Sequence, residues 1–179
     1  AGCSSTTITP QPQAAPAFNK VDIQYDKFTL PNGLTVLVHS DHSVPDVFVG
    51  VWYKVGSKNE ADGKTGFAHL FEHLLFLESE NLGKGGLDQL SARVGGSGAN
   101  GSTNRDRTNY FQTVPSDALE KMIWAEADKL GYFINTVTEP VLAKEKQVVK
   151  NEKRQSYDNR PYGHQRYVTH KNLYPADHP

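Results

Sequence analysis

The chain has 179 residues, enough for a sizeable core, and is 37% hydrophobic and 22% charged, the balance of an ordinary globular protein. Its formal net charge of −1 supplies no global field to attract nucleic acid or an acidic membrane. No run approaches the roughly 18 consecutive apolar residues that mark a membrane-spanning helix.

The chain opens on Ala1-Gly2-Cys3-Ser4, which resembles the end of a bacterial lipoprotein signal, where the cysteine is lipidated after cleavage. Cys3 is the only cysteine, so no internal disulfide is possible. The expectation is a protein of the bacterial cell envelope, on the periplasmic side, touching a membrane only through a lipid on Cys3; the plain alternative is a chance cysteine. Residues 1–18, Ser/Thr-rich and then rich in Gln, Pro and Ala, have too little apolar surface to order themselves and read as a flexible tether.

Folded sequence begins near Val21. Phe28-Thr29-Leu30, Pro31-Asn32-Gly33 and Leu34 to Val38 read as a β-hairpin with an Asn-Gly turn. Val47 to Tyr53 is a strongly apolar third strand. A helix follows Gly66 and runs through Phe76, and a short one spans Leu87 to Val94, stopped by Gly95-Gly96. Ala99 to Asn104 and Thr108 to Val114 read as strands. Ser116 is placed to cap a helix reaching about Leu130, with Ala118, Leu119, Met122, Ile123 and Leu130 on one face. Thr138 caps another running from Glu139 to about Gln155, with Pro140 tolerated in its first turn. A last helical stretch covers about His164 to Tyr174. Strands in runs, separated by helices that do not alternate with them, predict an α+β fold: an antiparallel sheet with helices packed on one face.

His69-Leu70-Phe71-Glu72-His73 lies on the first of those helices. At about 100° per residue the two histidines and Glu72 share an arc of about 100°. Phe67, Ala68, Leu70, Phe71, Leu74 and Leu75 fall on the opposite side. Histidines four apart stand about 5–6 Å from one another, which suits a shared zinc. Two neutral imidazoles can hold Zn2+ and leave a position open for water, whose pKa the metal lowers towards about 7. Glu72 stands beside the pair as a general base, able to take that water's proton and pass it to the leaving amine. The bare pattern also fits a helix that merely happens to hold two histidines; the opposed apolar stripe favours the metal.

A third ligand is needed. Glu145 and Glu152 are two turns apart on the helix after Thr138, so they share a face, with Val148 and Val149 between them. Taken alone, that lysine-rich run fits a solvated charged helix better than a ligand-bearing one.

Together, these features resemble the inverzincin peptidases, the family of pitrilysin, insulin-degrading enzyme and the mitochondrial processing peptidase. Their pattern is H-x-x-E-H, then E-x-x-V-V-x-x-E some seventy-odd residues later. Here Glu152 follows His73 by 79 positions. The resemblance runs from about Val21 to Pro179. It includes Leu30-Pro31-Asn32-Gly33-Leu34, the run from Asn100 to Phe111, Tyr157 to Gly163, and Tyr174 to Pro179.

The resemblance implies a zinc endopeptidase with His69, His73 and Glu152 as ligands, Glu72 as general base and Glu145 as support behind a ligand. It implies that Asn100, Gly101, Ser102 and Thr103 pair with the backbone of a peptide or unfolded polypeptide at a sheet edge. It also implies that residues 19–179 form an N-terminal catalytic domain, incomplete at its C-terminal end. Its partner would be a missing C-terminal part, or a second related domain or subunit, without which the fragment is inactive. Lys150 and Asn151 depart from the family pattern, so Glu152 is assigned as ligand by position alone, and Glu78 to Ser97 is unusual in detail. A non-catalytic binding or assembly subunit is the alternative, but such subunits usually lose ligands and this motif is intact. A zinc-stabilised domain without hydrolysis leaves Glu72 unexplained.

Overall fold

The computed structural model describes residues 22–175 and residue 178; the tether and Cys3 lie outside them. They fall into two compact units, one ending at Val44 and the other beginning at Pro45. The fold is α+β, built from antiparallel sheets and helices.

The first unit holds the hairpin, β1 (Asp26–Thr29) and β2 (Thr35–Val38), in the register Thr29↔Thr35 to Asp26↔Val38. Its connection is longer than a two-residue Asn-Gly turn. Leu30 N–H donates to Leu34 O at 2.8 Å and Gly33 N–H to Leu30 O at 2.9 Å, so Pro31, Asn32 and Gly33 form a three-residue loop. Pro31 takes the position that wants a fixed φ, and Gly33 takes φ +87°, which costs an L side chain strain.

In the second unit β3 (Asp46–Tyr53), β4 (Ser97–Thr103) and β5 (Thr108–Pro115) form one antiparallel sheet in the order β3-β5-β4. The helices are α1 (Phe67–Leu77), α2 (Gly86–Val94), α3 (Leu119–Tyr132), α4 (Glu139–Lys153) and α5 (Gln165–Leu173). Helices α1, α2 and α3 pack on one face of the sheet. The core there is Leu87, Val114, Ala118, Met122 and Ala125, with Val47, Val49, Phe76 and Leu90 against it. Full burial of each large apolar side chain contributes about 1.5–3 kcal/mol. Alternation sends Phe48, Trp52 and Phe111 to the other face, where Phe48 stacks on Phe111 at 5.9 Å between ring centroids.

Two helical expectations need correction. Ser116 makes no side-chain cap: Ser116–Ala118 form a 3-10 turn that leads into α3 at Leu119. The buried face of α3 also differs, because Ile123 and Leu130 are more than half exposed while Met122, Ala125, Glu126 and Lys129 are buried. The helix turns an ion pair inward. Lys129 Nζ donates to both oxygens of Glu126, at 3.1 and 3.0 Å, and lies 4.3 Å from the centroid of Tyr110 and 5.1 Å from that of Phe76. Paired and covered by rings, a charge can sit where an unpaired one could not. Burial still pushes the Lys129 ammonium below its ordinary range, against the pull of Glu126. The neighbouring Tyr53 hydroxyl is pushed up to about 12, first by burial and then by the Glu126 charge.

Candidate metal centre

Helix α1 carries the site, and its start is fixed from outside the helix. Glu60, in the preceding loop, accepts from Gly66 N–H at 2.9 Å and from Ala68 N–H at 2.9 Å. Those are donors that a helix start leaves unsatisfied, and a carboxylate there also suits the helix dipole. Ala68, Leu70, Leu74 and Leu75 are buried. Phe67 and Phe71, expected on the same core face, are instead each 39% exposed, because they line an open cavity of about 460 Å³ with Tyr53, Val55, Leu130 and Phe133. The cavity wall is mainly apolar, and neither His69 nor His73 belongs to it.

His69 and His73 meet edge to face, their ring centroids 4.7 Å apart. Helix α4 holds Pro140 in its first turn and packs against α1; Thr138, just before it, is extended and makes no side-chain cap, contrary to the expectation. The helix brings Glu145 and Glu152 to the histidines. His69 Nε2 and His73 Nε2 are 3.2 Å apart; Glu152 Oε2 is 3.6 Å from the former and 3.3 Å from the latter. Zinc bonds of about 2.0–2.2 Å at tetrahedral angles require donors about 3.3–3.6 Å apart. The three atoms therefore stand almost at the corners a tetrahedral zinc would use. Two imidazoles and one carboxylate are also the donor set of an open hydrolytic zinc site.

Glu145 is buried and takes a different place. Its Oε1 lies 2.9 Å from His73 Nδ1. A carboxylate only accepts, so the His73 proton belongs on Nδ1 and the lone pair on Nε2 faces the other two donors. Glu72 is on α1 between the histidines and is also buried, with Thr103 Oγ1 donating to its Oε2.

Asn100, Gly101, Ser102 and Thr103 lie on β4, which pairs only with β5 among the described residues and so presents a free edge. Gly101 and Thr103 face α1, and a Cβ at Gly101 would meet Phe76 Cε2 at 3.0 Å and Glu72 Oε1 at 3.2 Å. Ser102 faces the other way, where Arg107 Nη1 donates to its carbonyl at 3.2 Å and its hydroxyl at 2.6 Å. A bulge between Ser97 and Asn100 interrupts the pairing before this run. Sequence reasoning missed Glu60, the Thr103 bond to Glu72 and the Arg107 brace. Of these, Glu60 alone left a trace, an acidic residue shortly before the helix.

The model of the family Insulinase (Peptidase family M16) matches residues 35–176. The chain is 38% identical over 141 residues to the zinc protease PqqE of Helicobacter pylori, covering 78% of this chain and 31% of that protein. It is 34% identical over 102 residues to a probable mitochondrial-processing peptidase subunit beta of Arabidopsis thaliana, covering 57% of this chain and 19% of that one. Among solved structures, a protease from Helicobacter pylori aligns with a TM-score of 0.73 at 38% identity, over 79% of this chain and 33% of its own. Pitrilysin aligns at 0.65 and 27% identity, over 75% of this chain and 14% of its own. The chain thus spans about a third or less of each of these relatives.

Proposed function

The chain belongs to the insulinase family of peptidases, and on that premise we propose that it is the metal-binding part of a zinc endopeptidase. His69, His73 and Glu152 are its ligands and Glu72 its general base. The observation that carries the reading is the 3.2–3.6 Å triangle of two imidazole nitrogens and one carboxylate oxygen. Zinc held there supplies a Lewis acid that makes water a nucleophile at neutral pH.

The remaining work belongs to the chain's own groups. Glu145 holds the proton of His73 on Nδ1 and so keeps Nε2 a donor. Glu72, buried next to His73, takes a proton and returns it to the leaving amine. The free edge of β4 at Asn100 to Thr103 offers backbone groups to an extended peptide, which binds polypeptides of varied sequence. The rest of the catalytic apparatus lies in a C-terminal part or a second related domain or subunit, and residues 19–179 act as the N-terminal catalytic domain, following a tether at 1–18. Alone, this portion is expected to bind zinc without hydrolysing peptides, because the scissile bond must also be held in place. A lipid on Cys3 would hold the enzyme at the periplasmic side of a bacterial envelope; mass spectrometry showing an unmodified Cys3 thiol in the protein from its host ends that part of the reading.

The test is elemental analysis and a quenched-fluorescent peptide assay on the full-length protein. The wild type should carry one zinc at this site, and His73→Ala should lose it. Glu72→Gln should keep the metal and lose hydrolysis by about a thousandfold or more, since the amide cannot accept the proton. Wild-type zinc content in His73→Ala overturns the ligand set. Loss of zinc in Glu72→Gln makes Glu72 a ligand rather than a base.

A further inference from the structure

The Thr103 hydroxyl has one hydrogen and two oxygen neighbours, Glu72 Oε2 and Thr108 Oγ1, the latter at 3.3 Å. Thr108 commits its own hydrogen to Val55 O at 3.0 Å, and a carbonyl can only accept. Glu72 as a carboxylate also only accepts, so the contact needs the hydrogen of Thr103. Of the acceptors within reach, the charged one forms the stronger bond. The hydroxyl therefore points at Glu72, and Thr108 remains an oxygen behind it.

The other oxygen of Glu72 is in different surroundings. Oε1 accepts no hydrogen bond from a described residue and faces Gly101, where a Cβ would stand 3.2 Å from it. So β4 touches both oxygens from one face, two residues apart: a hydroxyl on one and open backbone beside the other. The carboxylate cannot rotate freely, because turning it breaks the Thr103 bond or drives an oxygen into β4.

We propose that Thr103 is a positioning residue for Glu72: it holds Oε2, fixes the carboxylate plane and leaves Oε1 as the oxygen that exchanges the proton. The proposal rests on the reading of Glu72 as general base. It is compatible with a peptide pairing along β4, since pairing uses the backbone of Thr103 and positioning uses its side chain. Clearance for the working oxygen also becomes one reason for Gly101 to lack a side chain, beside the Phe76 ring edge that a Cβ would meet at 3.0 Å and the Asn109 carbonyl at 3.2 Å.

The experiment uses the full-length protein with Thr103→Val, Thr103→Ser and Glu72→Gln, measuring kcat and KM on one peptide, zinc per chain, and crystal structures of wild type and Thr103→Val. Valine keeps the shape and removes the hydrogen. We expect kcat of Thr103→Val to fall by roughly ten- to a hundredfold, the range of one hydrogen bond to a charged group, with KM and zinc content near wild type. Thr103→Ser should recover kcat to within about threefold, because it restores the donor. In the crystal structure of Thr103→Val the Glu72 carboxylate should be rotated or take two orientations. Wild-type kcat in Thr103→Val, an unmoved Glu72, or a serine variant as impaired as the valine one overturns the proposal. Should Thr103→Val fail to fold, Thr103→Ala carries the same expectation for kcat. Zinc lost from Thr103→Val would make the residue part of the metal site's structure and also overturns it. Glu72→Gln separates the two levels: if it is inactive while Thr103→Val is fully active, only the Thr103 role falls, and if it is active, the base assignment itself falls.

Discussion

Two polar clusters in the second unit look alike in composition and differ in how their atoms are used. In the buried cluster of α3, both oxygens of Glu126 and both of Asp128 have donors. Glu126 Oε1 and Oε2 both accept from Lys129. Asp128 Oδ2 accepts from Ser79 Oγ at 2.5 Å and Leu82 N–H at 3.1 Å, and Oδ1 from Asn81 Nδ2 at 2.5 Å. Between α1 and α4, by contrast, two imidazole nitrogens and a carboxylate oxygen face one another within 3.6 Å. They are groups that need a shared cation or proton to bind. Burial alone does not account for the contrast: His69 and Glu152 are nearly half exposed, but Glu72 and Glu145 beside them are as inaccessible as Glu126. The difference lies in satisfaction: the first cluster is closed, and the second leaves its atoms open to a shared cation, as the proposed zinc site requires.

The largest expected effect breaks the closed cluster. Glu126→Ala leaves the Lys129 ammonium buried without its partner, and losing one member of a buried pair costs about 3–5 kcal/mol. Chemical denaturation of the purified protein measures it. Replacing both residues together with apolar ones, as in Glu126→Leu with Lys129→Met, should recover much of that loss. A double variant as unstable as Glu126→Ala would show that the pair contributes more than mutual satisfaction.

A smaller effect comes from Glu145, which is buried like the closed cluster and serves the open one. Glu145→Gln should weaken zinc binding by about 10–100-fold, the usual consequence of losing a partner behind a metal-ligating histidine. Competition with a chromophoric chelator measures this, and unfolding of the metal-free protein should change far less. If stability falls while zinc affinity holds, Glu145 belongs with the structural cluster, and the comparison has to be redrawn.

How far the sequence reveals each cluster follows from its periodicity. The open one was legible because two helical spacings, His69 to His73 and Glu145 to Glu152, place chemically special residues on single faces. The order of strands and helices was readable for similar reasons, since alternation and capping are local. The closed cluster was not. Glu126 and Lys129 are three apart on a helix and look like a solvated pair; only the fold shows Tyr110 and Phe76 closing over the lysine. Ile123 and Leu130 pointed the other way, and the resulting error in the buried face of α3 came from ranking apolar residues above paired charges. Thr103 and Glu72 are 31 positions apart, and no pattern along the chain connects a hydroxyl on one strand to a carboxylate on a helix.

The smallest effect tests the closed cluster through pH. Asp128 joins the end of α3 to the loop after α1, where Ser79, Asn81 and Leu82 all donate to it. Burial alone pushes its carboxyl up, but the bonds from Asn81, Ser79 and the two backbone N–H groups of Leu82 and Asn81 outweigh it, and the net shift is downward. A carboxyl held lower in the folded state than in the unfolded one stabilises the fold while both are ionised. That contribution is complete above the unfolded value of about 3.9 and is lost as pH falls through the folded value. Asp128→Asn removes the charge and turns one acceptor into a donor facing Asn81 or Ser79. It should cost about 1.5–3 kcal/mol near neutral pH, the range for a hydrogen bond to a charged group. The gap between wild type and variant should stay level from pH 7 down to about 5 and narrow below about 4, because the wild type is then losing what the variant never had. Denaturation midpoints for both proteins at a series of pH values give the curve. A gap that persists unchanged well below the folded value would mean that the loss comes from packing around the new amide, and the charge of Asp128 would then have no part in closing the cluster.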